Sequence, residues 1–299
     1  MLIRILGAAA GGGYPQWNCH CHGCETARDS GVTLTQSSIA VQSADGSWFL
    51  INASPDVRQQ IEVMRAAGCF NSHSGNRSLP FAGILLTDAE IDHTTGLILL
   101  RESTAPLNIY STTTVKQALT SGYPLFSTLK NYCDVKWSPL TPGEVTKLTT
   151  DIEVEAFALS NKAPKYMESK EAVWGIGLTI RDIITNSTLT YAPGVGSINI
   201  DLQKRFENSN CIFIDGTFWT DDELPSLGIG ARTAQAMGHL PLSGDNGSLS
   251  QLKSISTLCK TILIHINNTN PILIPHSPER QTVESMGVEV GYDGLTFKL

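Results

Sequence analysis

Three apolar segments of buried-strand type, each leading to a side chain that can bind a metal, constrain the fold of this chain more than any other feature. The segments and the residues at or near their ends are 82–87 with Asp88, 211–214 with Asp215, and 261–266 with His265. They alternate with stretches of helical pattern, which is typical of α/β proteins. Because such folds collect functional side chains at the carboxyl ends of strands, the sequence predicts an α/β fold with a site at these ends.

The remaining elements suggest two similar halves. Strand-like runs at residues 38–42 and 48–52 flank Asp45-Gly46, a dipeptide that strongly predicts a β-hairpin. From residue 151 onward the pattern turns to strands again, which predicts a second sheet. Residues 71–80 are rich in Ser, Gly and Asn and are predicted to form a surface loop.

Composition excludes several classes of function. Of the 299 residues 41% are hydrophobic and 16% are charged, which predicts one globular domain over residues 1–299, since no linker divides the chain. The net charge of −7 argues against a nucleic-acid partner, because phosphate contacts need clustered Lys and Arg. No apolar run is long enough to span a membrane. The odd number of cysteines, seven, disfavours a secreted disulfide framework, so we expect a cytoplasmic protein.

The N-terminal region contains a dense cluster of metal-binding residue types. Cys19, His20, Cys21, His22 and Cys24 fall within six residues. Thiolates at Cys-x-Cys-x-x-Cys spacing can converge on one tetrahedral zinc ion and leave the fourth position to a distant residue. The alternative is a redox-active or simply buried group of thiols. No carboxylate lies within these six residues, which favours a structural zinc site over a catalytic one.

A second cluster is acidic. Asp88, Glu90 and Asp92 alternate after the buried strand at 82–87, so an extended backbone would place them on one face, and His93 follows directly. Three carboxylates this close together need a cation to offset their repulsion, which indicates a metal. A solvated acidic loop, with His93 near the start of a helix, is the alternative.

The late strand ends form a third cluster. Asp215 and His265 each lie at or near the end of an apolar strand, and His239 lies in a Gly- and Pro-rich loop that would face any pocket formed there. His239 is therefore a candidate proton donor. A lone His on an apolar strand is also common as a core residue, so His265 alone does not decide between these interpretations.

In order and spacing, four segments resemble the metal-binding motifs of the metallo-β-lactamase superfamily. These segments are residues 87–97, 213–217, 237–239 and 264–268. The segment 17–24, with its Cys-x-Cys-x-x-Cys pattern, is similar to the coenzyme PQQ (pyrroloquinoline quinone) biosynthesis protein B family within that superfamily. The resemblance spans essentially the whole chain and implies an αββα sandwich, in which two mixed β-sheets are flanked by helices.

The sequence departs from the hydrolases of that superfamily at the first metal site. The hydrolases carry His-x-His-x-Asp-His, whereas this chain has Asp88 and Glu90 at the first two positions and lacks a third His near residues 160–161. A hydroxide held between two metals requires both sites, so the departure argues against a two-zinc hydrolase. The resemblance leaves one set of active-site metal ligands: Asp92, His93, Asp215 and His265.

Two imidazoles with carboxylates and open positions are the set expected of non-haem Fe2+ oxygen chemistry. The resemblance implies iron- and O2-dependent hydroxylation of the tyrosine in a peptide-derived PQQ precursor. Asp88 and Glu90 would then surround the metal or serve as extra oxygen ligands, and His239 would transfer protons. The alternatives are a carrier that moves PQQ or its precursor toward the periplasm, and a metallohydrolase using Zn2+ or Mn2+.

The resemblance also implies a structural zinc ion bound by Cys19, Cys21 and Cys24. In phosphodiesterase relatives, a His three residues after the last active-site His completes this site, and the corresponding residue here is Asn268. Because Asn is a poor zinc ligand, His20, His22 or water could take its place. The expected cofactors are thus structural Zn2+ and active-site Fe2+, with Zn2+ or Mn2+ as substitutes after purification.

Overall fold

The structure is a computed structural model that describes residues 1–70, 78–167, 173–253, 255 and 259–299. The strands in these residues are β1 (Leu2–Gly7), β2 (Ser38–Gln42), β3 (Trp48–Ile51), β4 (Gly83–Leu85), β5 (Leu107–Ser111), β6 (Val135–Pro139), β7 (Val145–Lys147), β8 (Ile152–Ser160), β9 (Gly175–Asp182), β10 (Ser187–Ala192), β11 (Cys211–Asp215), β12 (Lys260–Ile264), β13 (Val288–Val290) and β14 (Thr296–Lys298). The predicted loop at 71–80 lies mostly outside the described residues.

Short helices connect many of these strands. The α-helices are α1 (His22–Ser30), α2 (Val57–Ala66), α3 (Ile91–Thr94), α4 (Gly96–Leu99), α5 (Thr113–Gln117), α6 (Leu125–Leu129), α7 (Ile200–Glu207), α8 (Glu223–Ser226), α9 (Ala234–Met237), α10 (Ser248–Leu252) and α11 (Pro278–Ser285). A π-helical turn covers Ala118–Gly122 and a 3-10 turn covers Pro271–Leu273. Within the described parts of the chain, no helix is both long and apolar enough to span a membrane.

The strands form two seven-stranded mixed sheets. The first has the order β14-β1-β2-β3-β4-β5-β6 and the second β13-β12-β11-β10-β9-β8-β7. Side chains of Ile39 and Phe49 from the first sheet pack with Leu178 and Phe213 from the second, so a core lies between the sheets. Apolar side chains on the opposite faces pack against helices, because neighbouring residues of a strand point to opposite sides. The predicted αββα sandwich is confirmed.

The strand pairing agrees with the sequence pattern in most places and differs in one. β2 and β3 pair antiparallel around a turn in which Gly46 has a φ of 87°, a conformation that favours glycine. The second sheet begins at β7, close to the predicted midpoint. The last strand in the chain, β14, does not join the second sheet. It pairs antiparallel with β1 in the first sheet.

The sheet arrangement brings the three predicted strand ends to one edge. β11 and β12 are parallel neighbours, with Asp215 opposite Ile264, so Asp215 and His265 leave the second sheet side by side. β4 belongs to the first sheet, and the backbone N–H of Ile176 in β9 donates to the carbonyl of Thr87 at 2.8 Å. This hydrogen bond joins the second sheet to the segment that carries the acidic cluster.

The backbone after the acidic cluster packs very closely on the loop that follows β3. The N–H of Gly96 donates to the carbonyl of Ala53 at 2.9 Å, and the N–H of Ala53 donates to the carbonyl of His93 at 2.8 Å. A Cβ atom at Gly96 would lie 2.1 Å from the carbonyl oxygen of Ser54. Only glycine allows α3 and α4 to reach this position.

We expect the substitution Gly96→Ala to lower the free energy of unfolding by about 1–3 kcal/mol, because the added methyl group overpacks this contact. Gly230→Ala is the matched control, since its Cβ would meet only Leu224 at 3.6 Å, and it should change stability by less than about 0.5 kcal/mol. Denaturant unfolding monitored by circular dichroism measures both. Equal stabilities for the two variants would contradict the close approach.

Candidate metal centres

His93 is held in a buried position with one ring nitrogen left for a metal. Its Nδ1 donates to the Asp88 carboxylate, with contacts of 2.7 and 2.8 Å to the two oxygens. Its Nε2 is buried and has no hydrogen-bond partner among the described residues. A buried polar atom without a partner is costly, so a bound cation is a fitting occupant of this position.

The charges around His93 strongly favour a cation. Burial by itself lowers the pKa of His93, but the negative charges of Asp88 and Asp92 outweigh it and raise that pKa to about 10. The pKa of Asp92 is correspondingly held well below its usual range by His93 and His265, although burial opposes this. The same negative field that stabilises a proton on His93 would stabilise a divalent metal.

His265 is oriented by its backbone and by Thr217. It follows β12 with a φ of 55°, a left-handed conformation that is uncommon outside glycine and that turns its side chain at the strand end. Its Nδ1 donates to Thr217 Oγ1 at 2.9 Å. Its Nε2 lies 3.6 Å from Asp92 Oδ2, and its ring centre is 5.2 Å from that of His93.

Asp215 and His239 form the other side of the cluster. His239 Nδ1 donates to Asp215 Oδ2 at 2.6 Å, and the same oxygen accepts from the backbone N–H of Val195 at 2.8 Å. Burial would raise the pKa of Asp215, but His239, His265 and the Thr217 hydroxyl together lower it. The His239 ring stacks on His265, with 5.5 Å between ring centres.

The structure therefore gathers all four predicted active-site ligands around His265. Ligand atoms of Asp92, His93 and His265 lie within 4.8 Å of one another, and so do those of Asp215, His239 and His265. His239, predicted only as a proton donor, thus lies close enough to bind a metal itself. Imidazoles and carboxylates in this arrangement fit Fe2+, and they also fit Zn2+.

Asp88 and Glu90 lie beside these groups rather than within them. Asp88 orients His93 and also accepts from the backbone N–H of Glu90 at 2.9 Å. Burial and the charges of Asp88 and Asp92 raise the pKa of Glu90. Both carboxylates line a cavity of about 380 Å³ that also contains His93, His239 and His265. Both carboxylates thus lie beside the candidate ligands, and their role around a metal stays a prediction.

The three cysteines converge at the start of α1. The sulfur atoms of Cys19, Cys21 and Cys24 lie within 4.8 Å of one another. Asn268 is buried against them, with its Nδ2 3.3 Å from Cys24 Sγ, and its backbone carbonyl accepts from Cys21 Sγ at 3.6 Å. His20 lies outside this group, since its ring is exposed and contacts Glu25 at 2.9 Å.

This arrangement fits a zinc ion and links it to the active site. Burial and the neighbouring sulfurs raise the pKa of the Cys21 thiol to about 12. A bound metal ion would offset the repulsion between the neighbouring thiolates. Asn268 follows His265 by three residues, so the cysteine group is anchored directly beside the active-site cluster. The N–H of Ala10 also donates to the carbonyl of Ile266 at 2.8 Å, which attaches the N-terminal loop to the same segment.

Comparisons with known proteins agree with this geometry. The model of the beta-lactamase superfamily domain matches residues 47–266. The coenzyme PQQ synthesis protein B of Methylococcus capsulatus is 44% identical, and that of Nitrosococcus oceani is 43% identical, each over all of both chains. The chain belongs to the coenzyme PQQ synthesis protein B family.

Solved structures support the same family fold. The crystal structure of Zn2+-bound PqqB from Methylobacterium extorquens matches with a TM-score of 0.89, at 35% identity and over 100% of both chains. A diphosphatase from the PhnP family matches with a TM-score of 0.68 at 19% identity, covering 100% of this chain and 97% of its own, and shows the shared fold. One relative of this chain has thus been solved with Zn2+ bound.

Two features of the candidate site were missed by the sequence analysis. Thr217 contacts Asp215, His239 and His265 through one hydroxyl group, and only its place two residues after Asp215 could have indicated this. Lys162 and Arg232 also line the active-site cavity. They lie in loops without a recognisable motif, so no local pattern pointed to them.

We expect Asp88→Asn to weaken metal binding at the active site about 10- to 100-fold, because removing the charge behind His93 makes its Nε2 a weaker ligand. Titration with cobalt(II) measures this affinity. Ions bound by the cysteines give sulfur-to-metal charge-transfer bands, so they can be told apart from ions bound at the active site. Asp245→Asn, at an exposed carboxylate, is the control. An affinity unchanged by Asp88→Asn would contradict this positioning role.

We expect Cys24→Ser to remove one zinc ion per chain and to destabilise the fold. At free zinc about 100-fold above the dissociation constant, linked binding contributes about 2.7 kcal/mol to the free energy of unfolding, and the variant should lose this. Elemental analysis and thermal unfolding measure the two effects. Cys259→Ser, outside the cysteine group, should retain its zinc.

Proposed function

We propose that this protein acts in PQQ synthesis as a mononuclear, iron- and O2-dependent hydroxylase of the tyrosine in a peptide-derived PQQ precursor. Family membership supports the role in PQQ synthesis. The specific reaction is supported by the clustering of Asp92, His93 and His265, two imidazoles and a carboxylate, around one position. None of the seven cysteines forms a disulfide in the described structure, which favours a reducing cytoplasm as the place of the reaction.

The observation that supports the proposal is that Asp88 and Glu90 stand at the two positions where the hydrolases carry histidine ligands of their first metal site. Asp88 contacts the Nδ1 of His93 and so supports a ligand of the retained site, at a position where the hydrolases carry a histidine ligand. A two-metal mechanism, in which a hydroxide bridges the ions, therefore lacks its first site. Ferrous iron, when bound, supplies the redox chemistry needed to use O2.

The protein's own residues would orient the ligands and handle protons. Asp88 fixes His93, and Thr217 fixes His265, each through the Nδ1 atom that is not available to the metal. His239 lines the cavity and is held by Asp215, so its ring is positioned to accept or donate a proton there. Hydroxylation of a ring C–H bond leaves the second oxygen atom of O2 as water and consumes two electrons, so an external reductant is required.

We expect protein loaded with Fe2+ under anaerobic conditions to add one oxygen atom to the tyrosine of a Glu- and Tyr-containing precursor peptide when O2 and ascorbate are supplied. His93→Ala should reduce the rate at least about 100-fold, because it removes a metal ligand. Mass spectrometry of the peptide measures the product. His276→Asn, at an exposed loop histidine, is the control for a histidine outside the site.

Other outcomes of this experiment distinguish the alternatives. An iron-loaded protein that yields no hydroxylated product, or one in which His93→Ala is fully active, would contradict the proposal. Tight binding of PQQ without turnover would instead support the carrier role. Cleavage of phosphodiesters or other esters with Zn2+ or Mn2+ would support a metallohydrolase.

A further inference from the structure

Three basic side chains line the same cavity as the metal centre. Lys162, Lys165 and Arg232 contribute to its wall together with the acidic cluster. The chain as a whole carries a net charge of −7, so a group of three cations at one cavity is a local departure from its overall charge. None of the three forms an ion pair with a carboxylate among the described residues. Positive charge is therefore available to a ligand in the cavity.

Lys162 is held in place by the segment that carries His239. Its Nζ donates a short hydrogen bond to the carbonyl of Met237. Its side chain packs over Gly238, where an added Cβ atom would lie 3.3 Å from Lys162 Cδ. Gly238 also has a φ of 91°, a conformation that favours glycine. The lysine is thus a positioned part of the wall of the cavity that also contains the candidate metal ligands.

Arg232 is attached to the same short helix. Its Nη2 donates to the carbonyl of Ala236 in α9 at 2.6 Å, and the residue is exposed at the surface. A guanidinium group has five N–H donors, so this bond leaves others available to an anion. The two cations are therefore anchored to neighbouring carbonyl groups, with Arg232 exposed and Lys162 partly buried.

The cations are close enough to affect one another. Burial lowers the pKa of Lys162, and the positive charges of Arg232 and Lys165 lower it further, while Glu90 opposes the change. Like charges held this close together are stabilised when an anion lies between them. Carboxylate and phosphate groups are the anions that Lys and Arg bind through charge-assisted hydrogen bonds.

We propose that Lys162, Lys165 and Arg232 form a carboxylate-binding subsite that holds the acidic groups of the substrate while its tyrosine ring faces the metal centre. The assignment to carboxylates rests on the proposed function, because a precursor made from Glu and Tyr carries these groups. Trp174 and Phe218, both buried, also line this cavity, so part of its wall is aromatic. Phosphate would share the chemistry of recognition, so the test includes it.

Calorimetric titration of zinc-loaded protein measures this subsite without turnover. The probes are the dipeptide Glu-Tyr, which has two carboxylates, and Gln-Tyr amide, which has none. We expect Glu-Tyr to bind at least about tenfold more tightly, and the preference to weaken as salt concentration rises. The double variant Lys162→Gln, Arg232→Gln should lose the preference. The single variant Arg232→Gln should reduce the preference for Glu-Tyr. Because Arg232 is exposed, its substitution should leave the fold intact, so a reduced preference in this variant is not explained by misfolding.

Lys204→Gln, on the exposed surface of α7, is the matched control and should bind both peptides as the unaltered protein does. Equal affinities for the two peptides in the unaltered protein, or a preference that survives the double variant, would overturn the subsite. Inorganic phosphate that binds more tightly than Glu-Tyr would overturn its assignment to carboxylates.

The subsite and the hydroxylase proposal fail in different ways. If Glu-Tyr binds with the expected charge preference but the iron-loaded protein does not oxidise it, the subsite stands and the proposed reaction is wrong. If both peptides are hydroxylated with the same KM, the reaction stands and the subsite is wrong.

Discussion

The burial of carboxylates and imidazoles at the shared edge of the two sheets is the constraint on which the rest of the structure depends. Desolvation disfavours the ionised forms of Asp88, Asp92 and Asp215, and only nearby cations and hydrogen-bond donors compensate for it. Each carboxylate has such partners, mainly His93, His265 and His239. The strands and loops around the cluster have to deliver these partners within hydrogen-bond distance.

The two sheets share this task. The first sheet delivers the acidic cluster through β4, and the second delivers Asp215 and His265 through β11 and β12. Hydrogen bonds between the halves, such as that from Ile176 to Thr87, hold the two sets together. The cysteine group adds a further attachment through Asn268, so a zinc ion there would stabilise the rim of the active site as well as the N-terminal loop.

The sequence was sufficient to predict the features that depend on local patterns. The long apolar runs predicted β11 and β12, the Asp-Gly turn predicted the β2–β3 hairpin, and the Cys-x-Cys-x-x-Cys spacing predicted a convergent thiol group. The strands β7, β13 and β14 have three residues each, too few to show a periodicity. β6 is longer, but its side chains are partly or fully exposed and it lacks an apolar run.

The sequence by itself determined the layered α/β architecture and the residue types at the two candidate metal sites, including Asp88 and Glu90 where the hydrolases carry histidine, because these follow from apolar periodicity and residue identity. Only the tertiary structure decided that His239 lies beside the candidate metal ligands, that Thr217 contacts both histidines of its half, and that Lys162 and Arg232 line the cavity. These residues are far apart in the chain or depend on special backbone conformations, such as the positive φ of His265. Their proximity is set by the packing of the two sheets, which no local pattern encodes.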